Sequence, residues 1–345
     1  MVLTPKSLDS IDAVEHALSV PPAYVPIALQ KVPGDILVLG AAGKMGPTLC
    51  RMAVRALATA GLEHRVIAAS RYSNPAEQEK LEGWGVQTIK GDLLDERFLE
   101  SLPDCPNVVF MAGMKFGSSG KQSLTWAMNT HLPALVARRF ATSRIAAFST
   151  GNVYGLCPLA LGGSLETDEP RPVGEYAMSC LGRERMFEHA ANAHGTRVSI
   201  LRLNYACEMR YGVIADLATK VKNGVEIDVS MGAFNAIWQA DANGIALASL
   251  AHASAPAAVF NIAGPEQLSV RRVCERLGEI VGRPPQFVGQ ESADAILSNG
   301  QKAHSVFGYP IVAAQDLIDA VGRWVAGGGA ALGKPTHFET RDGKY

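Results

Sequence analysis

Short apolar runs alternate along this chain with longer stretches whose apolar residues recur at helical spacing. The runs have the length of strands in a buried sheet and are bounded by turn-forming or charged residues. Six strands are predicted, at 35–39, 65–69, 86–89, 107–112, 144–149 and 197–203. Helix-length segments lie between them, and this alternation predicts an α/β fold with a doubly wound parallel sheet.

The first predicted strand runs directly into three glycines, Gly40, Gly43 and Gly46. Gly40 allows a tight turn, Gly43 removes a side chain where a pyrophosphate would approach the backbone, and Gly46 lets the next helix pack closely. The uninterrupted segment 45–60 supplies that helix, so the turn predicts a dinucleotide site on a Rossmann-type sheet. Within the turn, Lys44 contacts either phosphate or only water. The cofactor-binding candidates here are Gly40, Gly43, Lys44, Met45 and Gly46.

The rhythm becomes less regular after about residue 204, with predicted helices at 214–222, 240–252 and 269–281. We therefore expect a smaller mixed α/β domain on the substrate side of the sheet. The expected division is an arm at 1–34, a dinucleotide-binding domain at 35–204, the smaller domain at 205–326 and a tail at 327–345, and the smaller domain is allowed to return strands or helices to the main sheet. The arm is expected to pack against the core or to form a dimer contact.

Composition narrows the class of protein. The 345 residues are 48% hydrophobic and 19% charged with a net charge of -1, so neither nucleic acid nor an anionic membrane is an expected partner. No apolar run approaches the roughly 18 to 20 residues that cross a bilayer. The six cysteines form no CxxC pair and no secretion signal is visible, which favours a reducing cytoplasm. The eight histidines lack metal spacing, and no metal site is expected.

Further motifs follow the glycine turn in a fixed order. They are Gly91-Asp92-Leu93-Leu94-Asp95, Met111-Ala112-Gly113-Met114-Lys115, Phe148-Ser149-Thr150-Gly151-Asn152-Val153-Tyr154-Gly155, and the acidic, proline-containing segment 166–172 that leads to Tyr176. Through these motifs residues 35–325 resemble the extended short-chain dehydrogenase/reductases, the NAD-dependent epimerase/dehydratase group that includes UDP-galactose 4-epimerase. Asn129, Asp241 and 260–264 match further landmarks of that group.

The resemblance implies roles for individual residues. Thr150 falls where the family has its catalytic hydroxyl, and Tyr176 falls where it has its catalytic tyrosine. Outside the family context, Thr150 would be a strand-end cap and Tyr176 an ordinary helix tyrosine. The cofactor-binding residues that the resemblance implies are Asp92, which the family places against the adenine, and Leu93, Ala112, Gly113, Lys115 and Asn129.

The chain departs from the family in the catalytic helix. The family signature is Tyr-x-x-x-Lys, whereas this chain reads Tyr176-Ala177-Met178-Ser179-Cys180. The family lysine grips the nicotinamide ribose and favours the phenolate. Bringing a phenol from a pKa of about 10 to near 7 takes about 4 kcal/mol, which a thiol cannot supply. We expect Lys115 to approach the same ribose from another strand end, and Cys180 to fill the space that the lysine leaves.

The end of the second predicted strand, Ile67-Ala68-Ala69-Ser70-Arg71, bears on the choice of cofactor. A member that prefers NAD normally carries an acidic residue there, which binds both ribose hydroxyls. Ser70 and Arg71 stand here instead and favour NADP, with Arg71 against the 2′-phosphate. NAD is the alternative, because Arg71 would also stack on its adenine.

The sequence limits the substrate less closely. Nucleotide-sugar members usually carry an arginine that clamps the diphosphate shortly before the position of Asp241, and 231–239 contains none. A small polyol, sugar, sugar acid or hydroxy ketone fits equally well. The substrate-binding candidates are Asn152, Asn204 and Trp238.

These observations predict an NAD(P)-dependent oxidoreductase or epimerase that acts on a carbohydrate-like hydroxyl or ketone, assembled as a homodimer. Hydride would pass between a substrate carbon and the nicotinamide, with Tyr176 moving the proton and Thr150 holding the reacting oxygen. The alternative is a dinucleotide-binding protein without turnover, a sensor or structural partner. Cys180 favours that alternative, while the retained Thr150 and Tyr176 favour the enzyme.

Overall fold

The computed structural model describes residues 8–115, 120–334 and 336–344. Residues 1–7 of the predicted arm and residues 335 and 345 of the predicted tail lie outside the described residues. The strands are β1 (Ile36–Leu39), β2 (Val66–Ser70), β3 (Gln87–Lys90), β4 (Asn107–Phe110), β5 (Arg144–Thr150), β6 (Cys157–Pro158), β7 (Arg197–Leu203), β8 (Ala206–Cys207), β9 (Ile227–Asp228), β10 (Ala233–Phe234), β11 (Ile237–Trp238), β12 (Ala258–Ile262), β13 (Leu268–Ser269), β14 (Phe287–Val288) and β15 (Asp294–Ala295). The α-helices are α1 (Ile11–Ala17), α2 (Tyr24–Gln30), α3 (Gly46–Thr59), α4 (Pro75–Gly83), α5 (Glu96–Ser101), α6 (Gln122–Trp126), α7 (Leu132–Arg139), α8 (Gly174–His194), α9 (Val213–Asn223), α10 (Gln239–Ala248), α11 (Val270–Val281), α12 (Gln301–Phe307) and α13 (Ala314–Ala326).

The centre of the molecule is a seven-stranded sheet in the order β12-β7-β5-β4-β1-β2-β3. Every neighbouring pair in it is parallel. The four residues of β1 and the four of β4 are all buried, as expected for strands covered by helices on both faces. The predicted doubly wound sheet is confirmed, and each of its six predicted strands forms within two residues of the expected ends.

The seventh strand comes from the part of the chain that was assigned to the smaller domain. β12 pairs with β7, with Phe260 opposite Leu201, so the chain returns to the main sheet after α10. The smaller unit is built on α9, α11 and α13, which pack on one another and carry short strand pairs such as β10 with β13. In α11 the apolar residues fall on one face, and this face is buried.

The described part of the arm belongs to the core. α1 begins after Ser10, whose hydroxyl accepts the backbone N–H of Ala13. Leu18, Val25 and Leu29 are buried in the same apolar cluster as the main sheet. α2 packs against α3 and α10, so these residues cover helices that flank the nucleotide side of the sheet. Within the described ranges, no helix has the length and apolar character to cross a membrane.

Candidate functional site

The glycine-rich turn joins β1 to α3, and its glycines meet different constraints. Gly40 has φ +87°, and a Cβ there would lie 2.7 Å from the backbone of Ala112. A Cβ on Gly46 would lie 2.1 Å from the carbonyl oxygen of Ala41, so the fold itself excludes side chains at both positions. A Cβ on Gly43 would meet only the Gly40 carbonyl oxygen, at 3.4 Å. The open cradle at Gly43 therefore fits a group that approaches the backbone from outside, as a pyrophosphate does.

The ends of β2 and β3 lie at the same edge of the sheet as this turn. Ser70 closes β2 and is half-buried, and Arg71 after it is exposed. After β3, exposed Asp92 accepts the backbone N–H of Leu94 at 3.0 Å, while Leu93 is buried. The carboxyl edge of a parallel sheet is where ligands bind, and Ser70, Arg71 and Asp92 are accessible there.

The loop after β4 is held from behind by two buried side chains. Asn129, in a π-helical turn at Ala127–His131, accepts the N–H of Met114 at 2.8 Å and donates to its carbonyl oxygen at 2.9 Å. Arg183 of α8 donates to Asn129 Oδ1 at 2.8 Å and to the Phe148 carbonyl oxygen at 2.7 Å. Asn129 is fully buried, so it shapes this loop instead of lining the pocket.

Thr150 and Tyr176 come together where β5 ends and α8 begins. The Thr150 hydroxyl donates to Asn152 Oδ1 at 2.8 Å and accepts the Asn152 backbone N–H at 3.2 Å. The side chain of Thr150 also forms a hydrogen bond with Tyr176. The two hydroxyls that sequence comparison with the family paired are therefore adjacent in space.

The surroundings of Tyr176 act on its pKa in both directions. Burial is the largest effect and raises the pKa of Tyr176 well above 10, and Cys180, one helical turn further along α8, raises it again. The Arg183 guanidinium and the hydrogen bond with Thr150 lower this pKa. The Lys115 ammonium lies 5.7 Å from the centroid of the Tyr176 ring. Two cations thus stand near the tyrosine although the family lysine is absent.

Cys180 occupies the position of the family lysine and is fully buried. Burial raises the pKa of its thiol, while the nearby Arg183 and a hydrogen bond with Tyr176 lower it. Together with Val153 and Tyr154 it forms a small apolar cluster below Tyr176. The thiol therefore fills space as expected, and its raised pKa argues against a nucleophilic role.

Two lysines flank the cleft between the glycine turn and the catalytic pair. Burial lowers the pKa of Lys44 to about 7 and that of Lys115 to about 8. The Lys44 ammonium lies 3.1 Å from the centroid of the Tyr211 ring, and Lys115 donates to the Thr336 carbonyl oxygen at 3.4 Å. A buried lysine regains its charge when an anion binds beside it, so both side chains suit a phosphate-bearing or acidic ligand.

These groups line a pocket of ≈ 120 Å³ at the carboxyl edge of the sheet. Predicted residues that line it are Lys44, Lys115, Thr150, Asn152, Tyr176 and Asn204. Asn204 donates to Asn235 Oδ1, which fixes its amide at the pocket wall. Within the part of the chain that the structure describes, no cluster of His, Cys, Asp and Glu could hold a metal ion.

Trp238 does not reach this pocket. It is 1% exposed and lines a separate small cavity with Ala17, Pro21 and Pro22 of the arm. The reason is local: β11 pairs with β8 in parallel, and the indole is directed under the arm. The structure therefore gives Trp238 a packing position and not the substrate contact proposed from sequence.

Sequence reasoning missed several residues at the site, among them Arg183, Tyr211 and Thr336. Arg183 stands seven residues after Tyr176, a spacing that places both on one helix face, so this signal was readable. Tyr211 and Thr336 line the cavity from the smaller unit and from beyond α13. Neither lies in a motif, and only the fold brings them to the catalytic pair.

Comparisons with solved structures show the same architecture. UDP-glucose 4-epimerase from Thermotoga maritima, solved with UDP-glucose, is 19% identical with a TM-score of 0.70, covering 85% of this chain and 99% of its own. A dTDP-glucose 4,6-dehydratase from Streptomyces venezuelae, solved with NAD, is 20% identical with a TM-score of 0.72, covering 84% and 96%. UDP-glucuronic acid 4-epimerase from Bacillus cereus, solved with UDP-glucuronic acid and NAD, is 20% identical with a TM-score of 0.68, covering 84% and 98%.

A search of curated proteins gave no match. Residues 36–232 match the profile of the NAD dependent epimerase/dehydratase family, more than half of the chain. The matched range contains the glycine turn, the Asn129-supported loop and the Thr150–Tyr176 pair, which are the features that the sequence motifs predicted. The family is one of enzymes that work with a nicotinamide dinucleotide, and this chain belongs to the NAD-dependent epimerase/dehydratase family.

Proposed function

We propose that this chain is an NAD(P)-dependent oxidoreductase or epimerase that acts on a carbinol or carbonyl carbon of a carbohydrate-like substrate. The observation that carries the proposal is the hydrogen-bonded pair of Thr150 and Tyr176 in a pocket that Lys44 of the glycine turn also lines. A nicotinamide bound here would accept or return the hydride. The homodimer and the cytoplasmic setting expected from sequence are part of the same proposal.

Tyr176 moves the proton to or from the substrate oxygen, and Thr150 holds that oxygen in reach. Thr150 is well placed for this role because Asn152 fixes its hydroxyl from two sides. Asn152 and Asn204, which also line the pocket, are the substrate-orienting residues of the proposal. The apolar surroundings of Tyr176 keep it protonated in the unliganded protein, so the oxidation direction requires help from nearby cations.

Lys115 supplies that help in place of the absent family lysine. Its ammonium is 5.7 Å from the Tyr176 ring centroid and also acts electrostatically on Cys180. It comes from the loop after β4, whose shape is fixed by Asn129 and Arg183. A cation thus reaches the tyrosine from a neighbouring strand end, whereas the family places it on the same helix.

The residues present fit a dinucleotide. Gly43 leaves an open cradle, and Gly113 is exposed in the loop after β4. Burial lowers the pKa of Lys44, and a bound anion would restore its positive charge. Gly40 and Gly46 shape the turn, with Met45 between them at the start of α3. The exposed residues at the other end of the crevice are Ser70, Arg71 and Asp92. They support NADP as the favoured cofactor and NAD as the alternative.

The test of the reaction is substitution of the catalytic pair. Tyr176→Phe should lower turnover by about 100-fold or more, because a positioned proton donor contributes roughly 10²- to 10⁴-fold. Dinucleotide affinity should stay unchanged. Thr150→Ala should also lose activity, and Thr150→Ser should regain it. Turnover is followed by NAD(P)H absorbance on a panel of polyols, sugars, sugar acids and hydroxy ketones, and intact turnover in Tyr176→Phe would refute the mechanism.

The test of cofactor choice is Arg71→Ala. If the guanidinium meets a 2′-phosphate, this variant should weaken NADP binding by roughly 1.5 to 3 kcal/mol, the range for a hydrogen bond to a charged group, and leave NAD nearly unchanged. Fluorescence titration with both reduced cofactors measures the difference. Equal losses for the two cofactors would show that Arg71 only stacks on adenine.

A second candidate is a dinucleotide-binding protein without turnover. The observation in its favour is Cys180, a fully buried thiol that raises the pKa of Tyr176 where the family lysine would lower it. This candidate predicts tight binding of the dinucleotide and no hydride exchange with any member of the panel.

A further inference from the structure

Thr336 joins the two sides of the catalytic cleft. Its N–H and its hydroxyl both donate to Asp216 Oδ2, at 2.7 and 2.6 Å, in the first turn of α9. Its carbonyl oxygen accepts a hydrogen bond from Lys115 at 3.4 Å. Thr336 is 3% exposed and lines the cavity that holds Thr150 and Tyr176. It therefore links α9 and the loop after β4 at the wall of the pocket.

Thr336 is the first residue of a segment, 336–344, that is anchored along its whole length. We call residues 336–344 the closing segment. Phe338 is buried, with its ring centroid 6.2 Å from that of Phe234. Glu339 forms an ion pair with Lys220 of α9. Arg341 forms an ion pair with Asp294 of β15. The segment is thus packed against the smaller unit and is not a solvated tail.

The far end of the closing segment reaches α8. Gly343 has φ +74°, and a Cβ there would lie 2.2 Å from the carbonyl oxygen of Val173. Val173 is the residue before α8, whose first turn carries Tyr176. The segment therefore runs from the Lys115 side of the cleft, over the smaller unit, to the start of the catalytic helix.

The pocket is small for the reaction family. Ordinary ligand pockets measure about 300–1,000 Å³, and this one measures ≈ 120 Å³. A sugar carried on a nucleotide diphosphate is long, and with its reacting carbon at Tyr176 the rest of the molecule must leave the pocket. Thr336, held by its hydrogen bonds with Asp216 and Lys115, is part of the lining of this pocket.

We propose that the closing segment forms the outer wall of the substrate pocket and selects a small, free carbohydrate-like substrate over one carried on a nucleotide diphosphate. The inference rests on the proposed function. Thr336 is then the residue that sets substrate size, and Asp216 positions it. The segment 231–239, which lacks a diphosphate-clamping arginine, agrees with such a substrate.

The experiment measures binding as a function of ligand size. Glucose, galactose and glucuronic acid are compared with UDP-glucose, UDP-galactose and UDP-glucuronic acid, by calorimetry on the full chain loaded with dinucleotide. One variant lacks residues 334–345, and a second, Asp216→Ala, removes the carboxylate that accepts both hydrogen bonds from Thr336. Asp316→Ala is the matched control, because Asp316 is also an acid in the first turn of a helix but is exposed.

Wild type and Asp316→Ala should bind at least one free sugar or sugar acid tenfold or more tighter than its nucleotide-linked form. Asp216→Ala should reduce this preference to less than threefold, and hydrogen exchange at the Thr336 amide should speed up in the same variant. The truncated protein should behave likewise if it folds without Phe338.

Equal or tighter binding of the nucleotide-linked ligands by wild type would overturn the inference. So would an undiminished preference in Asp216→Ala with the Thr336 amide released. A size limit in binding without hydride transfer to any ligand would support the role of the closing segment and count against the proposed function alone.

Discussion

The three glycines of the turn look equivalent in sequence, and the structure separates them. Gly40 and Gly46 are glycines because the protein's own backbone lies where a Cβ would be. Gly43 has no such neighbour, so its lack of a side chain serves something that the chain binds. The fold would tolerate a side chain at position 43, whereas the ligand would not. Gly43 is therefore the best position at which to test binding without disturbing the structure.

Gly43→Val should raise the dissociation constant for both dinucleotides by 100-fold or more, about 2.7 kcal/mol, because the new side chain fills the cradle. The melting temperature should change little. Fluorescence titration of NADH and NADPH measures the binding, and thermal unfolding measures the stability.

Gly83→Ala is the matched control, since a Cβ on this helical glycine in α4 would meet nothing within 4 Å. It should leave binding unchanged. Gly46→Ala should fail on stability, with its Cβ 2.1 Å from the Ala41 carbonyl oxygen. If a folded Gly43→Val protein keeps its affinity for both cofactors, the dinucleotide site lies elsewhere.

Among the elements, α8 decides how the tyrosine works. It carries Tyr176, Cys180 and Arg183 on one face, and it packs on the strand that ends at Thr150. Arg183 is 7% exposed and donates to two neutral acceptors, Asn129 Oδ1 and the Phe148 carbonyl oxygen. Among the described residues it forms no ion pair, so its charge acts on Tyr176, and Lys115 adds a second charge from the neighbouring loop.

Lys115→Ala should lower turnover strongly and move the pH dependence of oxidation to higher pH. The reason is that removing a nearby cation raises the pKa of Tyr176, so the phenolate forms later. Cys180→Ala should change little. Cys180→Lys alone would bury a third cation near Lys115 and Arg183, and we expect it to lower the free energy of unfolding.

The decisive test of this element is the double variant that combines Lys115→Ala with Cys180→Lys. It restores the family arrangement with one cation removed and one added, so it should regain activity that Lys115→Ala loses. Initial rates from pH 6 to 10 measure each profile. Unchanged turnover in Lys115→Ala would show that Lys115 has no part in the chemistry.

The site also shows which of its residues could be predicted from the sequence. Thr150, Asn152 and Lys115 were predicted through the resemblance to the family, and the structure brings them together because the parallel strands β4 and β5 end at one edge of the sheet. Thr336 could not be predicted, since its partner Asp216 is 120 residues away and no motif links them. Trp238 was misplaced because its neighbours in the arm, Pro21 and Pro22, are fixed by tertiary packing and not by local pattern.

The protein contains two lysines whose pKa is lowered by burial, to about 7 for Lys44 and to about 8 for Lys115. An unfolded chain has lysine pKa values near 10.4. Between these values the unfolded chain binds more protons than the folded one, so stability rises with pH. Two histidines, His16 and His252, also have lowered pKa values, and they make stability rise with pH below about pH 6.5. Buried thiols have the opposite effect and make stability fall with pH above about pH 8.5.

The unliganded protein should therefore gain stability between pH 7 and pH 8. The free energy of unfolding should rise by on the order of 1 kcal/mol over this unit, because one proton is worth 1.36 kcal/mol per pH unit and the two lysines together release about one. Urea denaturation at constant ionic strength measures it.

Lys44→Met should remove most of that rise, since folded Lys44 is at least half deprotonated throughout this window while the unfolded lysine is protonated, whereas Lys90→Met, at an exposed position of β3, should leave it intact. Saturating dinucleotide should also flatten the rise, because a phosphate beside Lys44 raises its pKa and keeps the folded protein protonated. Stability that is flat or falling in wild type would mean that Lys44 and Lys115 keep ordinary pKa values. A different outcome is that the rise in stability persists with saturating dinucleotide but disappears in Lys44→Met. This result would show that the phosphates bind away from Lys44 and that the charge of Lys44 has no part in binding the cofactor.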